Sequence, residues 1–152
     1  MNYDRILPNL YVGSYPDTTE DIDRLKAEGI TAVVNLQSDD DCRYLGIDWQ
    51  RLQAHYDQVG VVVRRVRIQD FNDDDLRARL PVAVEELDEL LQEGHTAYIH
   101  CSAGINRSPS AVICYLHWLQ DWDLEDAERH VRSSRSCDPV MDVVRLATRD
   151  RG

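Results

Sequence analysis

Apolar positions along the chain recur with two alternating periods, about two residues and between three and four, and so predict strands interleaved with helices. Leu10 to Val12 reads as a short strand. Thr18-x-x-Asp21 has the form of a capping box, opening a helix that ends before Gly29. Thr31 to Leu36 is a buried strand. Trp49, Leu52, Tyr56 and Val59 then fall on one helical stripe within Asp48 to Val59, and the β-branched run Val61 to Ile68 reads as the next strand. Gln69 to Asp75 is an acidic loop holding four aspartates and Phe71, the only phenylalanine, before a helix that reaches Gln92 with Pro81 inside its pattern. Thr96 to Ile99 is a fourth buried strand and leads directly into His100-Cys101-Ser102-Ala103-Gly104-Ile105-Asn106-Arg107-Ser108-Pro109. A helix begins at about Ser108, since Pro109 suits a first-turn position and Ala111, Val112, Tyr115, Leu116 and Leu119 share a face. Two more helices close the chain, Leu124 to Arg132 capped by Asp123 and Val140 to Arg149 opened by Asp138-Pro139.

This alternation is that of an α/β protein, and no repeat or linker divides the 152 residues, so one domain over 1–152 is expected. A chain of this size buries roughly two-thirds of its unfolded surface and needs no metal or disulfide to fold. Charge narrows the function. With 17 basic against 28 acidic residues, the net charge of −11 opposes nucleic-acid backbones and anionic lipid, so phosphate chemistry must come from a local positive pocket. No apolar run approaches the ~18 residues of a membrane span. The start, MNYDRILPNL, lacks the features of a signal or transit peptide, which makes the cytoplasm the expected compartment. Cys42, Cys101, Cys114 and Cys137 form neither a CxxC pair nor a zinc spacing; no metal or cofactor is expected, and the chain is expected to act as a monomer.

Cys101 and Arg107 bracket five residues, Ser102, Ala103, Gly104, Ile105 and Asn106, between a strand and a helix. Successive backbone N–H groups of such a loop can turn around one anion while the guanidinium grips two of its oxygens. The same field favours a thiolate, making Cys101 a candidate nucleophile toward a phosphate monoester, with Ser108 able to donate to the sulfur. Displacing an alkoxide also needs a proton donor, and Asp70, 31 residues before Cys101, is the candidate; Asp73, Asp74 and Asp75 compete, or cap the helix that follows.

HCSAGINRS resembles the signature of the cysteine-dependent dual-specificity phosphatases. That resemblance implies their fold, a central, mostly parallel sheet flanked by helices. It also implies roles: Cys101 as nucleophile, Arg107 on the phosphate, His100 supporting the thiolate, Ser108 assisting breakdown of the intermediate, and Asp70 as general acid. NYDRILPNLYVGS, EGITAVVNLQ, DFNDDDLRARLP and SRSCDP further resemble the plant glucan phosphatases and laforin-like enzymes, in which a C-terminal motif, here about 134–152, packs on the catalytic domain. The resemblance implies a phosphorylated glucan as substrate, without a carbohydrate-binding module. Phe71, Tyr44, Trp118 and Trp122 are then candidates for stacking on sugar rings, although Trp118 and Trp122, at i and i+4, also suit helix packing. A phosphoprotein is the alternative substrate. Asn106 stands where these glucan enzymes usually carry glycine.

Overall fold

In the computed structural model, which describes Met1 to Gly152, the elements run β1 (Tyr3–Leu7), β2 (Leu10–Gly13), α1 (Thr19–Ala27), β3 (Ala32–Asn35), α2 (Asp39–Leu45), α3 (Trp49–Val59), β4 (Val62–Arg65), α4 (Asp73–Gln92), β5 (Ala97–His100), α5 (Arg107–Leu119), α6 (Leu124–Ser134) and α7 (Met141–Arg151). The strands form one sheet in the order β1-β2-β5-β3-β4. Only β1 and β2 pair antiparallel; β2 with β5, β5 with β3, and β3 with β4 are parallel.

Side chains alternate across the sheet as the pleat requires. Ala32, Val34, Ala97 and Ile99 join the large core beneath α4, α5, α6 and α7, whereas Val33 and Tyr98 face a smaller core with Ile22 and Leu25 of α1 and Leu52 and Tyr56 of α3. Both faces of β3 and β5 are therefore buried, which explains why these strands read as nearly continuous apolar runs. None of the helices is long and apolar enough to cross a membrane.

Two elements escaped the periodicity. In β1 only Ile6 is buried, and α2 (DDDCRYL) buries no residue, so neither offers an apolar stripe to find. What starts α2 is a capping box, Ser38 with Asp41. The strand expected over Val61 to Ile68 pairs only from Val62 to Arg65. The acidic stretch expected to remain a loop through Asp75 is shorter too: Asn72 caps α4, and Asp73, Asp74 and Asp75 form its first turn, where they complement the helix dipole.

The carboxyl ends of three adjacent parallel strands converge at one edge of the sheet. β3 leads to Ser38 and Asp41, β4 to Asp70, and β5 to Cys101, the crevice where open α/β sheets place ligands.

Candidate active site

Cys101 is buried at the end of β5, with its Sγ 3.3 Å from the Ser108 hydroxyl on the first turn of α5. Between them the loop is held from outside through its carbonyls. Tyr15 N–H donates to Ser102 O (3.0 Å), Arg135 donates to Ala103 O (3.0 Å) and Gly104 O (2.8 Å), and Asp138 N–H donates to Ile105 O (2.9 Å). In a planar trans peptide the N–H points opposite to the C=O, so the amides of Ala103, Gly104, Ile105 and Asn106 are turned inward. None of these amides donates to another group of the chain. Asn106 does not cap α5 either, and the first turn of that helix adds its own free N–H groups and positive dipole end. The result is a concave nest of donors, suited to a tetrahedral oxyanion.

Gly104 makes the turn possible. Its φ of +71° lies in the left-handed region, and a Cβ there would collide with the backbone of Gly13 and the guanidinium of Arg135. Asn106, where glycine was the family expectation, is used differently: its side-chain amide donates to Asp138 O at 2.7 Å, stitching the loop to the segment before α7.

Arg107 is buried, and its guanidinium is shared between two carboxylates and a carbonyl. Nη1 donates to Asp41 Oδ2 (2.7 Å) and Ile68 O (2.8 Å), and Nη2 donates to Asp41 Oδ1 (3.2 Å) and lies 3.2 Å from Asp70 Oδ2. Its Nε–H has no partner. An oxyanion in the nest would satisfy that orphan donor and compete with Asp70 for the Nη2 edge. Burial alone would raise the Asp41 carboxyl, but hydrogen bonds from Arg107 and Ser38, together with the Arg107 charge, outweigh it and hold the group below the ordinary carboxylate range. Asp41 also accepts from the Ser102 hydroxyl (3.1 Å), linking the arginine to the loop.

His100 is fully enclosed, and its Nδ1 lies 2.9 Å from Cys101 O. Desolvation lowers its pKa to about 4, with the charges of Arg107 and Arg65 acting in the same direction against the hydrogen bond to Cys101 O. It is a neutral ring that fixes the backbone at Cys101. Cys114, by contrast, is an ordinary core thiol whose pKa burial pushes well up.

Asp70 and Phe71 form a turn between β4 and α4, and a cleft opens on each side of it. One, of about 440 Å³, is lined by Asp40, Asp41, Tyr44, Leu45 and Ser102 as well as the turn; the other, of about 150 Å³, reaches Asp73, Asn106, Arg107 and Val140. Tyr44 and Phe71 are 91% and 93% exposed, and Phe71 is held at φ +55°, a strained backbone for an aromatic residue. Of the four candidate acids only Asp70 touches Arg107; Asp75 instead accepts from Gln69 N–H at 2.7 Å.

Trp118 and Trp122 do not belong here. Trp118 lies at the far end of α5, about 17 Å along the helix axis from Arg107 by the rise per residue, and Trp122 lies beyond that end. Trp118 packs on the main core, donates to Thr148 Oγ1 (2.9 Å) and carries Arg151 over its ring; Trp122 packs against His130. The i, i+4 spacing serves the contact of α5 with its neighbours, and the stacking role expected of these two rings is corrected accordingly. Sequence reasoning also missed Asp41 and Arg135. The Ser38-x-x-Asp41 capping box could have located the first; the second lies within SRSCDP, a match that marked the segment but not what its arginine holds.

Comparison with known proteins agrees with this geometry. Residues 10–142 match the family described as dual specificity phosphatase, catalytic domain. The chain is 36% identical to the amyloplastic phosphoglucan phosphatase DSP4 of Castanea sativa over 99% of its length, and 34% identical to laforin of Mus musculus over 89%. It spans only 40% and 44% of those two proteins. Among solved structures, Tk-PTP in its active form superposes with a TM-score of 0.79 over 97% of this chain and 94% of that one, at 21% identity, a likeness of fold. With its whole phosphate-binding loop inside the matched region, the chain belongs to the family of dual specificity phosphatase catalytic domains.

Proposed function

We propose that the chain hydrolyses phosphate monoesters through a phosphocysteine and that its substrate is phosphorylated glucan. The phosphoryl group sits in the nest of inward amides with its oxygens on the Nε and Nη2 edge of Arg107. Cys101 Sγ attacks phosphorus in line, the bond to the ester oxygen breaks, and Asp70 delivers a proton to that oxygen as it leaves. Water then attacks the phosphocysteine, giving a proton back to Asp70 and releasing inorganic phosphate, while the Ser108 hydroxyl stabilises the departing sulfur. Asp70 is well placed for both steps, because a phosphoryl group on Arg107 displaces its carboxyl from the guanidinium toward the cleft, where the negative phosphoryl charge favours the protonated form that the first step consumes and the second restores.

The observation that carries the substrate assignment is the pair of nearly fully exposed rings, Tyr44 and Phe71, beside Asp70 in one cleft. Exposed aromatic faces at a binding mouth suit pyranose rings. The remaining polar groups support a neutral polyol: Asp40, Gln69 and Asp70 can accept hydrogen bonds from hydroxyls, and Arg107 is the only cation lining either cleft. The names of the phosphoglucan phosphatase and laforin relatives support the same reading. The test is phosphate release from solubilised starch or glycogen set against a phosphopeptide panel at equal phosphate concentration. Faster release from glucan is expected; turnover of phosphopeptides without release from glucan transfers the assignment to protein phosphatases.

A further inference from the structure

The nest described above is an arrangement that a ligand-free backbone resists. Four neighbouring N–H groups aimed at one point repel each other and lack partners, and rotation of a single peptide would place a carbonyl among them and relieve both penalties. Gly104 is the residue for which that rotation costs least. Something must hold the carbonyls outward.

We infer that Arg135 is the positioning residue that keeps the phosphate loop formed before substrate arrives. It sits just after α6, is 6% exposed, and directs its guanidinium at the back of the loop. Nε donates to Gly104 O (2.8 Å) and Nη2 to Ala103 O (3.0 Å), so the two peptides flanking Gly104 are both fixed by one rigid fork. The fork is itself anchored on β1 and the chain start, by Asp4 Oδ2 (3.0 Å) and Asn2 Oδ1 (2.7 Å). Turning either peptide inward would strip a charge-assisted bond from a buried cation, a penalty that offsets what the turned peptide gains by no longer leaving its amide open. Arg135 touches no reacting atom. It acts through the fraction of molecules whose loop is formed, and the apparent affinity for any oxyanion scales with that fraction.

This inference rests on the phosphatase reading, and tungstate, a non-hydrolysed tetrahedral oxyanion, separates the two. Wild-type protein should bind tungstate measurably by calorimetry; if it does not, the phosphatase reading itself fails. Arg135→Gln, compared at a temperature where circular dichroism shows both proteins folded, should bind tungstate at least tenfold more weakly. On p-nitrophenyl phosphate its KM should rise by a similar factor while kcat falls less than threefold, because saturating substrate restores the formed loop. A residue that merely stabilises the fold would leave these constants unchanged in folded protein. Should Arg135→Gln not fold, Arg135→Lys retains the charge but offers no fork, and should show a weaker form of the same split, threefold or more in tungstate affinity. Wild-type affinity and KM in whichever folded variant is measured overturn the inference.

Discussion

Replacing Asp41 by asparagine probes the site through the partner of its arginine. In the native protein the Asp41 and Arg107 side chains are 9% and 4% exposed and share two short contacts, so the pair is essentially dehydrated. Asparagine keeps the shape but removes the charge and, since both carboxylate oxygens accept from Arg107, turns an amide N–H₂ toward the guanidinium in either orientation. One buried cation then loses its principal counter-charge, a change that costs about 3–5 kcal/mol when a buried pair is broken, with the lower end fitting an isosteric replacement that leaves Ile68 O and Asp70 in place. Activity should fall as well. Without the bidentate hold the guanidinium is free to swing, and a displacement of about 1 Å at a group contacting the transition state costs about 10²-fold in kcat/KM. The sign of the pH dependence follows from the lowered Asp41 pKa: its stabilisation is complete above the unfolded carboxyl value near 3.9 and is lost as pH falls through the lower folded value. The stability gap between wild type and Asp41→Asn, measured by urea unfolding, should therefore be constant from pH 6 to 8 and close only below about pH 4. Equal unfolding midpoints at neutral pH together with unchanged kinetics on p-nitrophenyl phosphate would refute this account of Arg107.

Cys101→Ser should lose more than about 99% of turnover on every phosphoester while still binding tungstate, since the nest of amides is backbone. Asp70→Asn should slow alkyl and sugar phosphates by ~10²–10⁴ and p-nitrophenyl phosphate much less; equal losses would remove the general-acid role. Phe71→Ala should leave the unfolding free energy within about 0.5 kcal/mol, because the ring is 93% exposed, and should lower kcat/KM on solubilised glucan by about 2- to 10-fold from lost stacking, with little change on the small substrate.

Legibility of the fold from sequence tracked how deeply each segment is buried. Helices with an apolar stripe or a clear cap, such as the one opened by Thr18 and Asp21 and the one carrying Leu52 and Tyr56, lie where the pattern put them. The strands Ala32–Asn35 and Ala97–His100, buried on both faces, were equally plain. What stayed hidden was structure built by polar groups. The helix Asp39–Leu45 rests on a capping box and buries nothing, yet it delivers the carboxylate that orients Arg107. The loop spacing from Cys101 to Arg107 pointed to an anion site, but spacing says nothing of which carbonyls are tied or by what. Arg135 lies 28 residues beyond Arg107 in sequence, and only the packing of α6 on α5 and β1 brings it behind the loop. The two tryptophans erred in the opposite direction, since an i, i+4 aromatic pair is the same in sequence whether it lines a cleft or a core.

Charge sets one further expectation. The loop presents its amides and Arg107 to a dianionic phosphate, but Asp41 already neutralises that arginine, Asp40 and Asp73 stand at the cleft walls, and the chain as a whole carries −11. Attraction is thus confined to contact distance, where aligned N–H groups act, while the long-range field repels the ligand. Salt shortens that field, from a Debye length of about 30 Å at 0.01 M to about 10 Å at 0.1 M, and leaves the contacts inside the buried loop nearly untouched. Raising ionic strength with a weakly competing salt over this range should therefore increase kcat/KM for p-nitrophenyl phosphate, by roughly 2- to 5-fold, through KM rather than kcat. A neutral glucan carrying isolated phosphates has most of its surface indifferent to the field, so its gain should be smaller. A basic-clefted phosphatase would show the reverse, a kcat/KM falling with salt, and that result here would mean that the acidic walls do not govern the approach of substrate.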